Sequence, residues 1–252
     1  MLLGENKSLN RNIPIPLYYQ LKMILLDYIK EEHHDVEQPI PTEVEISEYF
    51  GISRPTVRQA INELVVEGYL RRVKAKGTFI SKPKITQDFL LTLDSFNNEM
   101  RKKGFVPSTK ILQKEIIKCD EKVADTLKLE TGADVIKLTR LRFADNEPIV
   151  FVITYIPYKI CPALLEHDLE NESLYEIIEK ESGKLISNAV RSLECIIAGE
   201  YEAKLLNIEK GAPVQYFESI VSLEDGTPVE YSLAKYRSDR SKFTFELKRH
   251  LR

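Results

Sequence analysis

The sequence predicts an α+β protein of two domains, a small helical one followed by a larger one dominated by antiparallel strands. Three observations carry that prediction. Apolar residues recur at helical spacing through the first quarter of the chain. A basic two-strand pattern closes that region near residue 80. Beyond residue 88, short β-branched and aromatic runs alternate with hairpin turns and short amphipathic segments. With 252 residues, 43% of them hydrophobic, the chain can fill two modest cores.

The first helix is expected over 16–32, where Leu17, Leu21, Ile24, Leu25 and Tyr28 share a face behind Pro14 and Pro16, and His33 and His34 sit at its end, where the helix dipole favours them. Pro39 and Pro41 stop the chain. Thr42 and Glu45 then spell a capping box for a second helix that buries Ile46, Tyr49 and Phe50. Gly51 supplies a tight turn, and Ser53 caps a third helix with Pro55 in its first turn and the stripe Val57, Ala60, Ile61, Leu64 and Val65. Gly68 closes it, and YLRRV, KAKG and TFIS give two short strands around a basic tip ending at Gly77. This order is the winged helix-turn-helix layout, assigned to 1–80.

Residues 81–87, SKPKITQ, are polar, basic and broken by Pro83, as suits a linker. The second domain, 88–252, has strand-like runs at 109–118, 134–144, 149–156, 185–197, 213–223 and 227–236. Helical segments are expected at 93–103, 121–128, 173–180 and 201–206. The turns ADNEP and EDGTP join neighbouring runs into hairpins. No internal repeat is visible in the sequence.

Net charge is -3, yet it is unevenly placed: 27–52 carries -7 and 53–84 carries +6, an asymmetry that marks a surface with a task. A recognition helix enters the major groove by its N-terminal end, and Arg54 and Arg58, four residues apart, present two guanidiniums on one face there. Thr42, Ser53 and Thr56 add hydroxyls and helix-start amides for phosphates, and Lys74, Lys76 and Gly77 form a basic wing tip. Double-stranded DNA is the partner this set predicts.

The pattern has a known relative. Residues 16–80 resemble the winged helix of the GntR family of bacterial transcription regulators in PLYYQL, PTEVEIS, FGISRPTVRQAINEL, EGYL and KGTF. They depart from it at Val44, where the family usually has a DNA-contacting arginine, and at Ala75, often glycine. Further on, LDSF, RLR, EPIVFVITYIP, SLYEII, GAPV and EYSLAKYRSDRSKF, in that order, resemble the UTRA effector-binding domain of the HutC subfamily, a chorismate-lyase-like fold.

Arg140 and Arg142 alternate on one strand, so both can converge on one anion. Ser95 and Phe96 open one helix and Ser173 and Tyr175 another, while Glu230 and Tyr236 offer polar groups along the last long strand. The resemblance implies that these positions line a pocket, commonly for a phosphorylated sugar or amino sugar. Asp94 replaces a frequent threonine or serine; it either meets the ligand or caps the helix. Val152 replaces a frequent glutamate. Arg237, Asp239 and Arg240 read as a structural ion-pair network.

The reading is a dimeric, ligand-responsive regulator, a repressor released by a small effector. The alternatives are a different organic anion as effector, or a chorismate-lyase-type enzyme. Against an enzyme, no phosphate-binding loop, nucleophile elbow or zinc-binding His motif occurs, and His167 and His250 have no evident ligand partners. No cofactor or metal is expected. Cys119, Cys161 and Cys195 lack disulfide or zinc spacing and read as buried thiols. No membrane-length apolar run or signal peptide occurs, so a cytoplasmic protein is expected.

Overall fold

The computed structural model describes residues 8–30, 39–88 and 92–246. They belong to two compact units that divide between residues 84 and 85. His33, His34 and His250 lie outside the described residues.

In the first unit the apolar stripes form helices α1 (Leu17–Lys30), α2 (Glu43–Phe50) and α3 (Arg54–Val66), followed by the hairpin β1 (Leu70–Val73) and β2 (Gly77–Ile80). Leu21, Leu25, Ile46, Val57, Ile61, Leu64, Leu70 and Ile80 close into one core. Each such side chain contributes about 1.5–3 kcal/mol on burial, and this burial stabilises helices too short to persist alone. Gly51 caps α2 at φ +59, a left-handed backbone that glycine adopts without strain. Tyr49, expected inside, is 49% exposed and lies edge-on to Phe50, because one turn of α2 is too narrow to bury both rings. The 39–40 stretch adds to the wing, with the Ile40 amide donating to the Thr78 carbonyl at 2.8 Å and Pro39 opposite Phe79.

The second unit starts with β3 (Ile85–Gln87), so the last three residues of the expected linker are a strand. It runs parallel to β10 (Ser241–Phe243), which buries Ile85 and Gln87. Between them lie α4 (Phe96–Lys102), β4 (Pro107–Lys118), α5 (Glu121–Leu127), β5 (Asp134–Ala144), β6 (Glu147–Pro157), a 3-10 turn (Pro162–Glu166), α6 (Leu174–Ser182), β7 (Ile186–Ile197), α7 (Glu200–Leu206), β8 (Pro213–Leu223) and β9 (Pro228–Arg237). The six long strands form one antiparallel sheet in the order β4-β5-β6-β9-β8-β7. Asp145 and Asn146, both at positive φ, make the tight β5–β6 turn.

This unit is built twice, although the sequence shows no repeat. The run α4-β4-α5-β5-β6 recurs as α6-β7-α7-β8-β9. Cys119 donates to Ala133 and accepts from Gly132, as Ala198 does with Ala212 and Gly211. The αL cap Lys128 of α5 matches Asn207 of α7, and the serine cap Ser95 of α4 matches Ser173 of α6. The two halves join side by side at β6 and β9. Few side chains are shared, because only backbone geometry and apolar character have to repeat.

Arg237 clamps the end of β9. It pairs with Asp239 at 2.7 Å and Glu147 at 3.3 Å, and Arg240 joins through Glu147 at 3.0 Å. Cys119 and Cys161 are buried, and burial raises the Cys161 thiol to about 11. Cys195, expected inside, is exposed on β7, the edge strand. Under denaturing conditions a thiol reagent should reach all three cysteines, whereas in the native protein Cys119 and Cys161 should stay unmodified and any labelling should fall on Cys195; peptide mapping by mass spectrometry checks this.

Candidate functional site

Two places gather the residues that the sequence nominated. In the first unit, Ser53 caps α3: its Oγ accepts from the Thr56 amide at 3.4 Å and lies 2.8 Å from Thr56 Oγ1. Arg54 and Arg58 are exposed on the helix that follows. Thr42 caps α2 with a full capping box, its amide and hydroxyl donating to Glu45 Oε2 at 2.7 and 2.8 Å. Those bonds hold the Glu45 carboxyl below its ordinary range. Lys74 and Lys76 are exposed at the wing tip, next to Gly77. Ala75 between the lysines has φ +62, where a non-glycine residue costs about 1–2 kcal/mol.

Within this first unit, one residue that was not nominated ties α2, α3 and the wing strand together. Glu43, in the first turn of α2, accepts from Arg58 Nε at 3.0 Å and from Arg72 Nη2 of β1 at 3.1 Å. The starts of α2 and α3 and the wing strand thus share one surface.

In the second unit, the period of two along each strand sends Arg140 and Arg142 of β5, Val150 and Val152 of β6, Glu230, Ser232, Ala234 and Tyr236 of β9, Phe217 and Ser219 of β8 and Arg191 of β7 to the same sheet face. The starts of α4 and α6 roof that face with Asp94, Ser95, Phe96, Ser173, Leu174 and Tyr175. The cavity between encloses about 730 Å³, its open mouth included, and all nine residues nominated from the sequence line it.

Its electrostatics are unusual. Arg140 is 4% exposed, and its Nη2 donates to Thr154 Oγ1 at 3.3 Å. The Nε groups of Arg140 and Arg142 are buried without an acceptor. Burial, and then the neighbouring Arg142 charge, hold the Arg140 guanidinium well below its usual range, with Glu230 offsetting part of this. Arg142 lies over the Phe96 ring at 5.4 Å. On β9, Glu230 is 6% exposed with Oε2 unpartnered. Burial pushes the Tyr175 and Tyr236 hydroxyls above their ordinary range, so both stay protonated.

Asp94 lines the cavity with its carboxylate already hydrogen-bonded within its own segment. Ser95, not Asp94, is the cap, and the Asp94 carboxylate accepts from Lys102 at 2.6 Å, Ser95 N at 2.8 Å and Asn98 at 3.2 Å, which lowers its pKa. Arg191, Glu99, Ser219 and Ser232 also line the cavity and were missed. For Arg191, Ser219 and Ser232 the alternation within each strand was readable, but the strand order that brings β7 and β8 to the site was not, and Glu99 on α4 carried no strand signal at all. His167 has Nδ1 2.7 Å from Glu172, a pairing outside the cavity's polar set. Among the described residues no cluster fit for a metal occurs, and no helix is long and apolar enough to cross a membrane.

A helix-turn-helix unit with a basic wing, joined to a unit enclosing an anion-friendly cavity, defines a DNA-binding regulator with an effector domain. The description "Bacterial regulatory proteins, gntR family" matches residues 17–80, and the UTRA domain matches 102–242. The chain is similar to the HTH-type transcriptional repressor NagR of Bacillus subtilis (strain 168), at 37% identity over 242 residues, 96% of this chain and 99% of that protein. It is 27% identical over 229 residues to the mannosyl-D-glycerate transport/metabolism system repressor MngR of Escherichia coli (strain K12), covering 91% and 95% of the two chains. The crystal structure of PhnF from Mycobacterium smegmatis superposes with a TM-score of 0.71 at 26% identity, over 90% of this chain and 98% of that one. The chain belongs to the GntR family, in its HutC-type arrangement with a UTRA domain. It is a transcriptional regulator whose partners are operator DNA and a small-molecule effector.

A buried cation short of acceptors lowers stability when the cavity is empty. Arg140→Met should raise the stability of the ligand-free protein by about 1 kcal/mol, a melting shift of about 2–4 °C, measured by calorimetry in buffer free of phosphate and sulfate.

Proposed function

We propose that the protein is a repressor that binds a near-palindromic operator as a homodimer and leaves it when a phosphorylated sugar fills the cavity. The observation that carries this is the polarity of the cavity. Arg140 and Arg142 of β5 have unfilled donors, and Glu230, two strands away on β9, has an unfilled acceptor. A phosphate supplies acceptors for the guanidiniums, and sugar hydroxyls supply donors for Glu230, Ser219 and Ser232. Two relatives are repressors by name, one for a mannosyl-D-glycerate system, which agrees with a carbohydrate-derived effector. Val152, where relatives often have glutamate, removes one hydroxyl acceptor, so the sugar's polar edge is read chiefly from β8 and β9.

Arg54 and Arg58 read base edges, Thr42, Ser53 and Thr56 grip phosphates around the helix starts, and Lys74, Lys76 and Gly77 follow the backbone beside the groove. Two copies joined through the second units supply the two-fold symmetry of the operator. Edge strand β7 suits that contact: Val190 and Ile197 are 63% and 75% exposed, while the opposite edge, β4, carries Lys110, Lys114 and Lys118. Inside the second unit, Glu99 lines the cavity and accepts from the Asp88 amide just after β3. An effector touching the start of α4 thus pulls on the segment that leads toward residues 81–84. Release requires unequal affinity for the two arrangements, about 1–3 kcal/mol in typical systems.

A thermal-shift panel tests the effector: a phosphosugar should raise the melting temperature by mass action and release DNA in a gel shift, and the same sugar without phosphate should do neither. Equal shifts from both compounds would remove the phosphate from the proposal. Arg58→Ala should weaken binding to the selected duplex by about tenfold or more while leaving the phosphosugar shift intact. Val190→Lys with Ile197→Lys should convert the dimer to monomer in sedimentation.

A further inference from the structure

We propose that Glu43 is a specificity-determining positioning residue, which fixes Arg58 of α3 and Arg72 of β1 in one arrangement although it bears the charge that DNA repels. This rests on the assignment of Arg58 to DNA. Glu43 Oε2 lies 3.0 Å from both Nε and Nη2 of Arg58, and Oε1 lies 3.1 Å from Arg72 Nη2. One carboxylate therefore joins three elements.

Stability does not explain it. The Arg58 and Arg72 side chains are 59% and 45% exposed, and ion pairs so open to water and salt add little to folding. Orientation is what remains. A guanidinium has five N–H donors, and Glu43 takes two of those on Arg58 from the Nε side, leaving the edge between the terminal nitrogens for a bidentate contact. Without the carboxylate, Arg58 and Arg72 repel one another and each long stem samples several rotamers. The site also accommodates the charge, because Glu43 sits in the first turn of α2, where the helix dipole favours an anion.

A carboxylate on a surface that meets phosphates weakens binding to every duplex. Specificity, however, is a difference of affinities, and a fixed Arg58 gains only where the matching base pair is present. Glu43 thus lowers general affinity and raises discrimination.

The experiment uses the full chain and two duplexes, one carrying the sequence the protein enriches from a random pool and one with that sequence shuffled. Glu43→Gln keeps the side-chain shape and removes the charge. It should bind the enriched duplex about tenfold more weakly and the shuffled one as tightly as or more tightly than the parent, with an unchanged melting temperature. Tighter binding to both by one factor would show a merely repelling charge and overturn the proposal. Equal loss on both with a lowered melting temperature would show a structural role and overturn it as well. If the parent enriches no sequence, the DNA assignment itself fails, a result separate from either.

Discussion

A guanidinium held away from water without its own carboxylate is the constraint on which the second unit turns. At 4% exposure on β5, Arg140 costs more than an apolar side chain of similar size would, a cost that an anion in the cavity, as proposed above, would offset. Its presence makes sense with an anion. The rest of the unit serves that need. The sheet gives a flat face with fixed two-residue spacing, the twin helix starts at Ser95 and Ser173 cover it, and the clamp of Arg237, Arg240 and Glu147 holds the rim.

The duplication explains the polarity of that cavity. Corresponding strands from the two halves lie on either side of the β6–β9 join, yet β5 brings Arg140 and Arg142 to the face where its counterpart β8 brings Phe217 and Ser219, and β9 brings Glu230 where β6 brings only Val150 and Val152. A symmetric frame with unlike side chains thus places unfilled donors on one half and an unfilled acceptor on the other. Such a site distinguishes the two ends of a ligand, which a symmetric set of arginines would not.

The first unit solves the opposite problem. Most of its cations, Arg54, Arg58, Arg71, Arg72, Lys74 and Lys76 among them, are exposed to water, and its buried core is apolar. Affinity for DNA there comes from charge number, which the asymmetry between 27–52 and 53–84 already displayed. Discrimination depends on where each guanidinium points, and that passes through Glu43.

Much of this was legible in order along the chain. Helix starts were read because capping is local: Thr42 with Glu45, and Ser53, lie within one turn of the amides they satisfy. The nine cavity residues were found through their alternation and their resemblance to known effector domains. Local rules failed where partners are distant. Ile85–Gln87 looked like linker because its strand partner is Ser241–Phe243, at the other end of the unit, and Tyr49 looked buried because periodicity cannot tell how wide a core is. Arg191 and Glu43 escaped for the same reason, each acquiring its role from elements far away in sequence. The sequence by itself determined the element types, the caps, the turns and the chemical character of both sites. Only the tertiary structure decided strand order, the doubled frame and the partners of each charge, because those depend on which surfaces meet, and no local preference of the chain encodes that.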